Sequence, residues 1–159
     1  MYILHSYTED YEVKYLVTDN LKEASDFFLK NVCGDDKEIP YWVIESPLKY
    51  LSDDKWNIYA GMLKYCIERG VPQEMLARFY PEKINGILEA QPIHFNNFLN
   101  AKLYCREAGW LLCCLFLHAN ITLMEDELFA MSKIIMDIGD GPSYPHVLVS
   151  SEMSGTFEV

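Results

Sequence analysis

Cys114 and His118 stand four residues apart, a spacing that on a helix puts a thiol and an imidazole on one face, with Cys113 beside them. Such a pair is half of a metal site. Zinc requires three or four ligands, and the sequence offers no C-x-x-C or H-x-x-x-H elsewhere to complete the set, so no metal and no cofactor is expected. A cysteine nucleophile with His94 or His118 as base is a second chemistry these residue types allow. Against it, Cys113 and Cys114 lie in the most apolar stretch of the chain, Ala108 to Ala119, and burial there would keep a thiol protonated and inert.

Other routes to catalysis lack their motifs. There is no G-x-S-x-G, no glycine-rich phosphate loop and no H-E-x-x-H, and the whole chain contains only 8 glycines. Asp137-Ile138-Gly139-Asp140-Gly141 brings two carboxylates close together, but a calcium loop alternates its oxygen ligands and closes on a Glu, so a helix end followed by a turn accounts for this stretch. Glu125-Asp126-Glu127 falls where the first turn of a helix is expected, and the backbone dipole favours negative charge at that end. Glu125, Asp126, Glu127, Asp137 and Asp140 are therefore candidates for contact with a partner, and none is assigned a catalytic role.

Two periodicities indicate the elements that position these residues. Alternation from Tyr2 to Tyr7 and from Glu12 to Thr18, with Thr8-Glu9-Asp10 between, predicts a hairpin. Asn20 with Glu23 three residues on predicts the start of a helix over Leu21 to Val32, ending before Cys33-Gly34. Pro40-Tyr41-Trp42-Val43-Ile44-Glu45 is short, aromatic and β-branched, which predicts a third strand and a ββαβ beginning.

Beyond Pro47 the period becomes helical. Trp56, Tyr59, Met62, Leu63, Cys66 and Ile67 predict a helix closing at Gly70, and Pro72, Pro81 and Pro92 are each expected in a first helical turn. Phe95, Phe98, Leu99, Leu103, Leu111, Leu112 and Leu115 predict one long helix at the centre of a bundle. Thr122 and Glu125 form a capping-box pattern for a last helix carrying Met124, Leu128, Met131, Ile135 and Ile138, with Gly139 just beyond it and Pro142 barring continuation. Pro145 to Val149 is a candidate strand returning to the sheet, and residues 150–159 are expected as a loosely held tail.

The fold class that follows is α+β: a small N-terminal antiparallel sheet, with or without a C-terminal strand, packed against a mainly helical C-terminal bundle. A chain of 159 residues hides roughly 70% of its unfolded surface on folding, so one domain over residues 1–149 suffices. No secretory leader is visible at the N-terminus, and 5 cysteines match no disulfide framework, so a cytoplasmic protein with reduced thiols is expected. The apolar stretch at Ala108 to Ala119 is shorter than the roughly 20 residues that cross a bilayer, and no membrane partner is expected.

Charge is the one global feature with functional weight. Lys plus Arg is 13 and Asp plus Glu is 24, a net charge of -11, which opposes binding to phosphate backbones. From Leu103 onward only Arg106 and Lys133 stand against Glu107, Glu125, Asp126, Glu127, Asp137, Asp140, Glu152 and Glu158. A mimic of duplex DNA of this size would need on the order of 20 negative charges in two rows, so nucleic-acid mimicry does not fit. Steering toward a basic protein surface does. The sequence accordingly predicts a small acidic protein-binding module that occludes a basic partner, as immunity and inhibitor proteins do. A homodimeric structural or chaperone-like protein, and an enzyme with an unrecognised site, are the alternatives.

Overall fold

The computed structural model describes residues 1–7, 13–34, 38–138 and 146–151. Strands β1 (Tyr2–Tyr7) and β2 (Val13–Thr18) pair antiparallel, with Leu4 opposite Leu16 and His5 opposite Tyr15. A C-terminal strand, β3 (His146–Ser151), pairs antiparallel with the other edge of β1, so the order is β2-β1-β3. The returning strand is therefore present, displaced slightly from the expected stretch and running two residues into the segment assigned to the tail. The residues expected to turn the hairpin, those beyond Ile138 up to Pro145, and the rest of the tail lie outside the described residues.

Alternation sets the two faces of the sheet. Leu4 and Ser6 are buried, while Tyr15 and Val17 on the opposite face are exposed. Helices α1 (Leu21–Cys33) and α7 (Glu125–Ile138) pack against the sheet, α1 on β1 and β2 and α7 on β3. The first turn of α1 is closed as expected, with Asn20 Oδ1 accepting the Glu23 N–H at 3.1 Å. Ser25, buried on α1, accepts the Leu123 N–H at 2.8 Å and so anchors the entry to α7.

The stretch read as a third strand is a helix, α2 (Tyr41–Tyr50). Aromatic and β-branched side chains suggested a strand, yet the buried residues are Val43, Ile44 and Pro47, an i, i+1, i+4 set that faces inward only on a helix. Pro47 sits inside α2, so it does not end the element as expected. Packing against the central helix outweighs local propensity here.

Helix α3 (Asp53–Arg69) is capped by Ser52 and ends at Gly70, whose φ of 120° lies where glycine alone is unstrained. The Gly70 N–H meets Ile67 O and the Val71 N–H meets Cys66 O, the reciprocal closure of a Schellman turn. Gly61, in the middle of α3, lets the segment after α5 approach: a Cβ there would stand 2.7 Å from the Gln91 carbonyl oxygen. Short helices α4 (Gln73–Phe79) and α5 (Ile84–Glu89) follow. Pro72 caps α4 and Pro81 precedes α5 within a turn.

The long helix expected from Pro92 is broken. Pro92 lies outside any helix, Phe95–Asn97 form a single 3-10 turn, and Lys102 takes φ 56°, so the central helix α6 (Arg106–His118) starts only at Arg106. Phe95 and Phe98 are both fully buried, so the i, i+3 apolar spacing is met by a tight turn as well as by an α-helix. Within α6, Leu111, Leu112, Leu115 and Phe116 are fully buried, each contributing about 1.5–3 kcal/mol by leaving water. Around α6 gather α1, α2, α3 and α7. Phenols tie these layers together: Tyr59 donates to Ala108 O at 3.2 Å and Tyr80 to Ile44 O at 2.7 Å. Asn120, with φ 56°, closes α6 as Gly70 closes α3.

Candidate functional site

The capping box of α7 is shifted by two residues from the expected Thr122 and Glu125. Met124 is the cap, and Glu127 reaches back so that its Oε1 accepts the Met124 N–H at 2.7 Å. Glu127 is 0% exposed, and its burial is compensated in full. Arg69 donates bidentately, Nε to Oε2 at 2.6 Å and Nη2 to Oε1 at 3.0 Å, while the Tyr65 hydroxyl donates to Oε2 at 2.7 Å. Arg69 Nη2 also reaches the Thr122 carbonyl at 2.9 Å. Burial, and then the hydrogen bond to Glu127, push the Tyr65 phenol well above its usual value. The Glu127 carboxylate holds the Arg69 guanidinium more firmly protonated.

Of the five carboxylates expected to meet a partner, then, Glu127 is turned inward as an internal staple between α3 and α7. Glu125 is exposed and accepts the Tyr2 hydroxyl at 2.8 Å. Asp126, 64% exposed on its side chain, lies 3.0 Å from His94 Nε2. His94 Nδ1 accepts the Asn96 N–H at 3.1 Å, while Nε2, though 3.0 Å from Asp126, makes no hydrogen bond among the described residues. Asp137 belongs to the last turn of α7, with its side chain outside the described residues, as is Asp140 altogether.

The thiols are each free and buried. Burial pushes Cys113 and Cys66 well above the usual range for a thiol, and Cys105 up to about 11. Cys33 is raised by its hydrogen bond with Cys114 and then by burial. Cys113 contacts the Met131 sulfur at 3.7 Å. Among the described residues neither His94 nor His118 is hydrogen-bonded to a thiol, and no three potential ligands converge on a metal position. No described helix is long and apolar enough to cross a membrane.

A surface that the sequence did not reveal runs along α2. With Val43, Ile44 and Pro47 turned inward, Tyr41, Trp42, Glu45, Leu48 and Lys49 fall on the opposite side of the helix. Tyr41 is 73% exposed, Trp42 46% and Tyr50 72%. Trp42 is held edge-on against Trp110 of α6, ring centroids 5.2 Å apart, so its indole projects from a fixed base. At the far end Asp53 and Asp54 open α3, and Lys55 lies 5.2 Å from the ring of Tyr104, itself 79% exposed. Tyr50, nine residues beyond Tyr41, points to the other side of α2, so the outward face of the helix itself presents Tyr41 and Trp42 beside Glu45 and Lys49. On a helical wheel Tyr41 and Trp42 fall away from Val43, Ile44 and Pro47; read as a strand, Tyr41 shares a face with Val43 and Trp42 with Ile44, which hides the division.

The chain matches no protein-family model, no curated protein and no solved structure.

Proposed function

We propose that the protein is a small acidic protein-binding module that occludes a basic partner, in the manner of an immunity protein or inhibitor, and that the outward face of α2 is its docking surface. The observation that carries the reading is the pair of exposed rings on the outward face of α2, Tyr41 and Trp42, with Glu45 beside them, on a chain of net charge -11. Tyr and Trp are the residues that most often dominate binding energy at protein interfaces, because they cover much area and lose few rotamers. Carboxylates around them favour a positively charged partner by attraction at a distance and by pairing at the rim.

Capture experiments with the intact chain and with its Tyr41→Ala/Trp42→Ala variant, each at low and at high salt, test the proposal. A basic protein retained by the natural chain, lost on raising the salt and lost with the variant, is the expected result. A captured protein that is itself acidic, or that the variant retains as well, overturns it. The same rings would serve a homodimer, the second reading. Light scattering separates the two, since a mass of two chains that the variant reduces to one would put a second copy in the place of the basic partner.

A further inference from the structure

A cavity of about 300 Å³ opens between the end of α4, the end of α6 and the residues that lead into α2, and Glu38, Ile39, Met75, Arg78, Phe79 and His118 line it. Ile39, Met75 and Phe79 are half-buried and rest on the core, giving the cavity an apolar floor. Arg78 and Glu38 are exposed at its wall. The Arg78 guanidinium lies 5.2 Å from the centroid of the Phe79 ring. Among the described residues neither Arg78 nor Glu38 has an ion-pair or hydrogen-bond partner, and the two do not pair with each other. His118 is likewise without a hydrogen-bond partner among them.

One wall of this cavity thus carries a guanidinium and a carboxylate above apolar side chains. A ligand with both charges and an apolar group matches that lining. Such a ligand carries a carboxylate for the planar fork of Arg78, an ammonium for the Glu38 carboxylate, and an apolar group for the floor. The volume lies at the small end of ligand pockets, which suits a molecule of amino-acid size. We infer that this cavity binds an apolar α-amino acid, with its carboxylate on Arg78, its ammonium on Glu38 and its side chain against Ile39, Met75 and Phe79. His118, at the rim, is placed to accept or donate one further hydrogen bond. The inference is independent of the docking surface on α2.

Titration of the full chain with leucine, methionine and phenylalanine, followed by NMR and calorimetry, tests it. At least one of them should bind saturably, with the resonances of Arg78, Phe79 and His118 shifting together. The same amino acid as its amide, lacking the carboxylate, and as its N-acetyl derivative, lacking the ammonium, should each bind about tenfold or more weakly, as loss of a charge-assisted hydrogen bond entails. Arg78→Gln and Glu38→Gln should weaken the free amino acid to the same degree, and because both side chains are exposed the variants keep the fold, which circular dichroism verifies. Absence of saturation by all three at concentrations on the order of 10 mM overturns the inference. So does equal affinity for the amide and the N-acetyl derivative, or binding that both variants leave unchanged.

Discussion

The first turn of α7 and the outward face of α2 are both rich in groups that sequence reasoning associates with partners, and they use them in opposite ways. In α7 three consecutive acidic residues look like a single patch, yet Glu127 is buried under Arg69 and Tyr65, Glu125 takes the Tyr2 hydroxyl, and Asp126 faces His94. In α2 a run of aromatic and aliphatic residues looks like core, yet Tyr41 and Trp42 point to solvent. A run of like residues on a helix is divided by its period. Three successive positions point in three directions, and the neighbouring elements decide which is absorbed and which is displayed.

The sharpest way to break the comparison is through Glu127. If its role is internal, Glu127→Ala should lower the unfolding free energy by about 3–5 kcal/mol in urea denaturation, because Arg69 and Tyr65 are left desolvated without their acceptor. Replacing both members of the pair, with Glu127→Leu and Arg69→Met together, should recover much of that loss. A loss below about 1 kcal/mol for the single variant would place Glu127 with the surface carboxylates instead.

On the α2 side stability and binding should separate. Trp42→Ala gives up the edge contact with Trp110 and should cost about 0.5–1.5 kcal/mol of stability beyond the area it covers, while Tyr41→Ala should stay within about 0.5 kcal/mol. Both should weaken the partner complex by about 2 kcal/mol, roughly thirtyfold, if they are anchors of the interface. Calorimetry on the purified complex decides. Smaller again is the expected effect of Glu45→Gln, Asp53→Asn and Asp54→Asn combined: a slower association, by about tenfold at low salt, with dissociation little changed in stopped-flow measurements.

Much of the helical framework was legible in the sequence because its signals are local. Asn20 and Gly34 bound α1, Ser52 and Gly70 bound α3, and the apolar period between them is regular. The returning strand β3 was legible only as a short apolar run, Val147 to Val149, after Pro145. What was not legible depends on distance in sequence. The partner of Glu127 is Arg69, 58 residues away, and nothing near either residue signals the other. Lys102 at φ 56° breaks the expected long helix without a glycine or proline at that position. Pro40 and Pro47 suggested boundaries around Tyr41–Glu45, whereas the first became the cap of a helix and the second part of its buried stripe. The cavity beside Arg78 draws on three separate segments, so it too had no sequence signature.

The least effect is expected at the carboxylates of α7 that remain exposed. Asp126→Asn and Glu125→Gln each remove a charge that the helix dipole favours, worth a few tenths of a kcal/mol at an exposed site and less in salt. Glu125→Gln carries a second, sharper readout. The hydrogen bond to Glu125 raises the Tyr2 phenol above its ordinary value, with burial and the charge of Glu125 adding to the shift. Since the folded chain holds this proton more firmly than the unfolded one, the contribution is present below about pH 10 and is lost as the solution rises past the folded value. In the Glu125→Gln variant the Tyr2 ring carbon resonances should titrate closer to the ordinary phenol value. A titration unchanged by the substitution would mean that Glu125 is not engaged with β1, and would return it to the pool of carboxylates available to a partner, narrowing the contrast with α2 to Glu127 and Asp126.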